Sequence, residues 1–296
     1  MKILIIIPYY YESAALGKLL EKFDFLGVNK TPEVEIVCVN NGGEDFSKNN
    51  LSFDSIFFIN ENKNLNSPYS CRNRGIEFRK VDWYIFIDAT CIPHDDWFDV
   101  ILDNIAKNNN SSNCIFAANV GFKPKVGPTI GNIYDSIVNI DNQRSIAEDG
   151  CAKTACLAVN SESIFKVGGF EEGIRSGGDV LWTKKANRMG YNICFLSGWK
   201  VDKLSRNTCQ LIKKQFRVSI GWPKIWAEEK NYAIKLFKTV FLCFLPPVPF
   251  SLYKTAKRRG VVLSGMSKVN LVMFGLVLRL VSGLGVVYGI FRPVKK

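Results

Sequence analysis

The order of β-rich runs and helical patterns across the first two hundred residues constrains this chain most tightly. KILIII comes first, followed by a helical pattern to Phe25, then VEIVCV, SIFFI, a helix from Ser67, WYIFID and a helix from Asp95. Strands that alternate with helices predict an α/β fold with a doubly wound, mostly parallel sheet, because each parallel pair needs a crossover and the crossover helix covers the sheet. Such a sheet takes its ligand beyond the carboxyl ends of its strands. That rule points to Pro8 to Glu12, Asn40 to Gly43 and Asp88 to Cys91. From about Cys114 the pattern loosens, then recovers in ACLAV, a helix-like SESIFKV, the turn GGF and a helix from Asp179 to Met189, a half expected to serve the acceptor.

Charge divides the chain unevenly. Residues 1–199 carry 20 Lys and Arg against 24 Asp and Glu, a balance of −4, whereas residues 200–296 carry 19 against 3, a balance of +16. A basic protein that reads nucleic acid needs a cationic patch on a compact module with base-reading or stacking side chains. Here the basic residues flank two apolar runs, 233–253 and 270–291, with Lys257, Arg258, Arg259 and Arg292, Lys295, Lys296 at their borders. An anionic membrane surface is the partner this pattern implies, not nucleic acid. Pro246, Pro247 and Pro249 break the first run and Arg279 sits in the middle of the second, so both are expected to lie in the interface rather than to span it.

KILIII reaches Pro8 after too short an apolar stretch for a signal peptide. The nine cysteines are odd in number, irregular in spacing and free of any C-x-x-C pair, which predicts reduced thiols and a location at the cytoplasmic face of the membrane.

His94 is the only histidine, so multi-histidine metal sites are excluded and base chemistry falls to a carboxylate. His94 itself lies in a polar loop and receives no role. Asp88 ends the apolar strand WYIFI at the sheet rim, where it is a ligand group, a metal ligand or a helix cap; Pro93 and Asp95 offer better helix starts. Asp179 follows Ser176, Gly177 and Gly178 and opens a helix, a position that fits an N-cap as well as a functional carboxylate. Asn40 and Asn41 before Gly42 and Gly43 make a strand-to-turn junction that also faces a ligand. Arg72, Asn73 and Arg74 begin a helix, where they hold a phosphate or a base, or face solvent.

Taken together, IIIPYYYE, VNNGGED, CRNRGI, FIDATCIPHDDWF and CAKTACLAVNSESIFKVGGFEE followed by SGGDVLWTKKANRMGY resemble the family 2 glycosyltransferases of the GT-A fold, from Lys2 to about Gly221. The last pair is similar to a branch that ends its acceptor loop in Gly-Gly-Asp. The resemblance implies a GT-A domain over 1–221 and a basic, apolar helical tail over 222–296 that associates with the membrane. It also implies an inverting transfer of a sugar from a nucleoside-diphosphate sugar to a lipid-linked or polysaccharide acceptor. Asp179 becomes the general base, and Pro8, Tyr10, Glu12, Asn40, Asn41, Arg72, Asn73 and Asp88 become donor-site residues. Asp88 would also hold Mg²⁺ or Mn²⁺ against the diphosphate. Three positions depart from the family pattern: Tyr11 stands where Asn is usual, Asn40 where Asp is usual, and Thr90 in place of the second Asp of the Asp-x-Asp element. Loss of two acids motivates an alternative, a non-catalytic nucleotide-sugar-binding or scaffold protein, against which the retention of Asp88 and Asp179 argues.

Overall fold

The computed structural model describes residues 1–43, 46, 55–108, 113–123, 127–227 and 231–291. The strands are β1 (Ile3–Tyr9), β2 (Val34–Asn40), β3 (Ile56–Asn60), β4 (Trp83–Ile87), β5 (Cys91–Pro93), β6 (Cys114–Lys123), β7 (Cys156–Asn160) and β8 (Asn192–Leu204). They form one sheet in the order β3-β2-β1-β4-β7-β6-β8-β5. The sheet is parallel through β3, β2, β1 and β4; β7 runs antiparallel to both β4 and β6, and β5 antiparallel to β8. Strand β1 has helix-covered neighbours on both sides, which explains why Ile3 to Ile7 are all buried and why its sequence is continuously apolar.

Helices α1 (Ser13–Phe25) and α2 (Pro68–Phe78) are the crossovers of the parallel half, followed by α3 (Trp97–Lys107), α4 (Ile130–Val138), α5 (Asn142–Asp149), α6 (Ser161–Val167) and α7 (Gly178–Arg188). Ser67 caps α2 by accepting the Ser70 N–H, and Pro68 occupies the first turn, where its missing N–H costs nothing. Under one face of the sheet, Trp97 and Trp199 stack with ring centroids 5.8 Å apart.

Helices α7 and α3 start at other residues than the sequence pattern predicts. The N-cap of α7 is Gly177, at φ 89°, so Asp179 sits inside the first turn and not at the cap. Likewise α3 starts at Trp97 behind Asp96, and the Asp95 carboxylate pairs instead with Lys22. The loose stretch from about Cys114 begins with a ten-residue strand, β6, and the thirteen-residue β8 follows α7; neither is legible from alternation. β8 departs from it because Lys203 turns a charged side chain inward, being only 8% exposed.

By compactness the chain divides into residues 1–121 with 140–203, and residues 122–139 with 204–296. The composition change near Lys200 marks only the last of the three crossings between them. The second unit holds α4, α8 (Thr208–Trp226), α9 (Tyr232–Leu242), α10 (Pro249–Arg258) and α11 (Gly265–Phe291). Helix α11 packs on α8 through small residues: a Cβ at Gly285 would lie 1.9 Å from Ser219 Oγ, and one at Gly289 2.4 Å from the Ile220 carbonyl oxygen. Arg279 donates to the Leu245 and Pro246 carbonyls, both at 2.9 Å, so the mid-helix charge answers the orphan acceptors of the turn after α9. The other face of α11 is also apolar and carries exposed Met266, Val269, Met273, Val277, Leu280, Leu284 and Tyr288. Among the described residues α11 is the one helix long and apolar enough to cross a membrane. Arg292, Lys295 and Lys296 lie outside the described residues.

Candidate active site

The carboxyl ends of β1, β2 and β4 converge as the doubly wound fold requires. The Asn41 N–H donates to the Tyr9 carbonyl at 2.9 Å, and Gly43 lies so close to Tyr10 that a Cβ would fall 1.5 Å from its carbonyl oxygen. Asn40 closes its own turn, accepting the Gly43 N–H at 3.0 Å and donating to the Gly43 carbonyl at 3.2 Å. Asn41 donates its side-chain amide to the Asn64 carbonyl at 3.0 Å, and the buried Glu61 carboxylate accepts the Lys63 and Asn64 N–H groups at 2.7 and 2.8 Å. Glu12 precedes α1 and accepts the Tyr10 N–H at 2.9 Å, while Pro8 lies within β1. Glu44 and Asp45 of the VNNGGED turn lie outside the described residues.

The first two turns of α2 organise the rest. Ser67 donates to the Ile174 carbonyl at 2.7 Å, and Ser70 accepts the Gly173 N–H at 3.2 Å. Asn73 brackets Phe170, accepting its N–H at 2.8 Å and donating to its carbonyl at 2.9 Å. The Asn73 side chain is thus spent on the Gly-Gly-Phe turn, and Arg74 pairs with Glu77 on the surface. Together these bonds hold the loop that delivers Asp179.

Tyr69 donates its hydroxyl to Asp179 Oδ1 at 3.2 Å. Burial pushes the Tyr69 phenol well above its usual range, and the Asp179 carboxylate adds to the shift, so the hydroxyl remains a donor. The two glycines before Asp179 have separate reasons: Gly177 takes a left-handed backbone, and a Cβ at Gly178 would meet the Tyr69 ring at 2.7 Å. Asp179 Oδ1 also accepts the Val180 N–H at 2.9 Å, satisfying one free donor of the helix start.

Arg72, one turn on from Tyr69, donates Nη2 to Asp88 Oδ1 at 2.8 Å, and Lys203 Nζ of β8 reaches Asp88 Oδ2 at 2.6 Å. The guanidinium lies 5.4 Å from the Tyr69 ring centroid. Tyr69 and Arg72 are neighbours on one face of α2, so this face carries both the Asp179 and the Asp88 contacts. Lys203 is the site residue that sequence reading missed; a lone lysine in a loosely patterned segment carries no signal. His94 pairs with Asp202 at 3.1 Å, a contact separate from that of Lys203.

A divalent ion at Asp88 would find one protein carboxylate with both oxygens bonded to cations, and Thr90 where a second carboxylate would sit. Among the described residues no group of three His, Cys, Asp or Glu could hold a metal ion. A hard divalent ion wants anionic oxygen and is repelled at short range by an ammonium and a guanidinium, so this donor set fits it poorly.

The family described as Glycosyl transferase family 2 matches residues 4–167, and the chain belongs to it. It is 29% identical over 289 residues to the glycosyltransferase AglE of Haloferax volcanii, covering 95% of this chain and 93% of that protein. The fold is shared with the mannosyltransferase PcManGT of Pyrobaculum calidifontis, solved in complex with GDP-Man and Mn²⁺, at TM-score 0.59, 13% identity and coverage of 96% and 87% of the two chains. It is also shared with S. aureus TarS 1-349 in complex with UDP, at TM-score 0.52, 16% identity and coverage of 96% and 92%. The chain is a glycosyltransferase with a GT-A-type domain.

Proposed function

We propose that the protein is an inverting transferase that moves a sugar from a nucleoside-diphosphate sugar to a lipid-linked or polysaccharide acceptor at the cytoplasmic face of the membrane. The observation that carries the reading is the shared face of α2, from which Tyr69 reaches Asp179 and Arg72 reaches Asp88. It gives one arrangement two ends: a carboxylate on the acceptor loop and a cation-bearing strand end on the donor side.

In the proposed reaction Asp179 takes the proton of the acceptor hydroxyl as that oxygen attacks the anomeric carbon. The bond from that carbon to the diphosphate oxygen breaks with its electron pair, and attack from the opposite face inverts the configuration. Tyr69 keeps the base oriented by its hydrogen bond. The nucleotide would lie along the rim formed by Pro8, Tyr10, Glu12, Asn40 and Asn41; the two asparagines shape that rim through backbone contacts more than they offer free side-chain groups. The departing diphosphate gains negative charge, and the site answers it with the cations Arg72 and Lys203, which Asp88 holds at the strand end. No step is routed through a metal ion.

The membrane part of the reading rests on the doubly apolar α11 and on exposed aromatic rings of α9, with the +16 balance of residues 200–296 drawing the unit to anionic lipid. The proposed division keeps transfer chemistry in 1–221 and membrane association in 222–296.

Release of nucleoside diphosphate from a panel of UDP-, dTDP- and GDP-sugars, with native membranes as acceptor, tests the whole. One donor is expected to turn over and to be lost in Asp179→Asn, with inverted configuration in the product by NMR. Full turnover by Asp179→Asn, or a retained configuration, would overturn the mechanism.

A further inference from the structure

Two buried cations converge on one carboxylate at the end of β4. Arg72 is 2% exposed and Lys203 8% exposed, while the Asp88 side chain between them is 28% exposed. Burying an ammonium or a guanidinium is costly unless an anion accompanies it, and Asp88 is shared between the two. The Arg72 Nε–H is buried with no acceptor, and its remaining contacts are long ones of 3.4 and 3.5 Å to the Pro68 and Thr154 carbonyls. Orphan donors of this kind mark a place where an absent partner belongs. The position lies beyond a strand's carboxyl end, where the fold receives ligands, and Thr90 leaves the adjoining acidic position empty of charge.

We propose that Lys203, together with Arg72, holds the diphosphate of the donor, and that Asp88 is a positioning residue that orients these two cations instead of ligating a divalent metal ion. The inference rests on the donor reading above and adds the residue and the source of charge. Lysine and arginine suit a diphosphate in different ways, since the guanidinium offers a fixed fork and the ammonium a compact charge free to follow an oxygen as charge develops on it. Both are already oriented, so they need not reorganise when the leaving group forms. Strand β8 would thereby contribute to a site that the first four strands otherwise frame.

The test is calorimetric binding by full-length protein stripped with EDTA, using UDP, GDP and dTDP, each beside its nucleoside. One diphosphate is expected to bind without metal, and added Mn²⁺ to change its affinity by less than about threefold. Lys203→Met should weaken that diphosphate by about tenfold or more while leaving the weak nucleoside binding unchanged, and Lys203→Arg should restore most of the loss. Wild-type binding that appears only with Mn²⁺ would overturn the proposal while leaving the transferase reading in place. Unaltered diphosphate affinity in a folded Lys203→Met protein would overturn it too. Absence of binding to every nucleotide, with and without Mn²⁺, would remove the donor reading itself and this proposal with it.

Discussion

The two units use apolar side chains in opposite ways. In the first, β1, β2 and β4 bury nearly everything apolar they carry, and four of the buried polar groups, Asn40, Asn41, Arg72 and Lys203, lie at the end of β2 or reach Asp88 at the end of β4. In the second, α11 is apolar on the side that meets α8 and apolar on the side left exposed, and α9 leaves Ile234, Phe237 and Phe241 exposed, Phe237 by 75%. A core completed within its own unit needs only water outside it. A helix that is apolar all round needs a second apolar phase. Under the proposed function, chemistry belongs to the first unit and attachment to the second, and each part of that proposal can be broken by experiment.

The largest effect is expected at Asp179. Asp179→Asn should lower turnover by about a hundredfold or more, the usual contribution of a positioned general base, with nucleotide binding within about twofold of wild type. Initial rates of nucleoside diphosphate release beside calorimetric binding check both. A loss shared equally by binding would mean that Asp179 supports the donor site and not the acceptor.

Next comes the exposed face. Replacing Phe237, Phe241 and Phe244 together by Ser should reduce co-sedimentation with anionic vesicles by about tenfold or more, since each buried aromatic ring contributes roughly 1.5–3 kcal/mol. Vesicles of neutral lipid should bind wild type more weakly, because the +16 balance would lose its partner. Unchanged sedimentation of the triple variant would show that this face is not the one that meets lipid, and the contrast between units would need another occupant.

The glycines sharpen the comparison at a smaller scale. Gly178→Ala forces a Cβ to 2.7 Å from the Tyr69 ring, and Gly285→Ala forces one to 1.9 Å from Ser219 Oγ. Each should destabilise by about 1–3 kcal/mol, as overpacking does. Only Gly178→Ala should also lower turnover in the still-folded protein, because Tyr69 holds the base. Thermal melts with rate measurements below the transition separate the two.

The smallest effect concerns the thiols. Burial pushes the Cys71 and Cys91 thiols up to about 12, so neither forms thiolate near neutral pH, whereas Cys209 is exposed. Iodoacetamide at pH 8 should label Cys209 first, mapped by peptide mass, with little change in turnover. Rapid labelling of Cys91 would mean that the Asp88 end of the sheet opens more readily than its burial suggests.

The same contrast explains what could be read in advance. Strands β1, β2 and β4 announced themselves because their residues are buried on both faces of the sheet, which leaves a continuous apolar run, whereas β3, only half-buried at the sheet edge, showed as a short apolar run. Asp88 was legible because it ends such a run, whereas Asp179, which follows two glycines, is preferred over an N-cap reading only through the family resemblance. Asn73 was read as a donor-site group, yet its amide brackets Phe170, a partner 97 residues away that no spacing rule indicates. The tail was legible as basic and apolar, but not the way α8 joins it through Gly285 and Gly289.

By itself the sequence determined the elements that rest on local periodicity, the carboxylates available for chemistry and the concentration of positive charge in the last third. Tertiary structure decided which of these groups meet. Tyr69 and Asp179 are 110 residues apart, and Lys203 and Asp88 are 115 apart. Neither pair leaves a pattern along the chain, since a side chain that completes a distant charge looks, in its own segment, like a break in the alternation. Only the pairing of β8 with β5, and the turn of α2 toward the acceptor loop, give Lys203 and Tyr69 their partners.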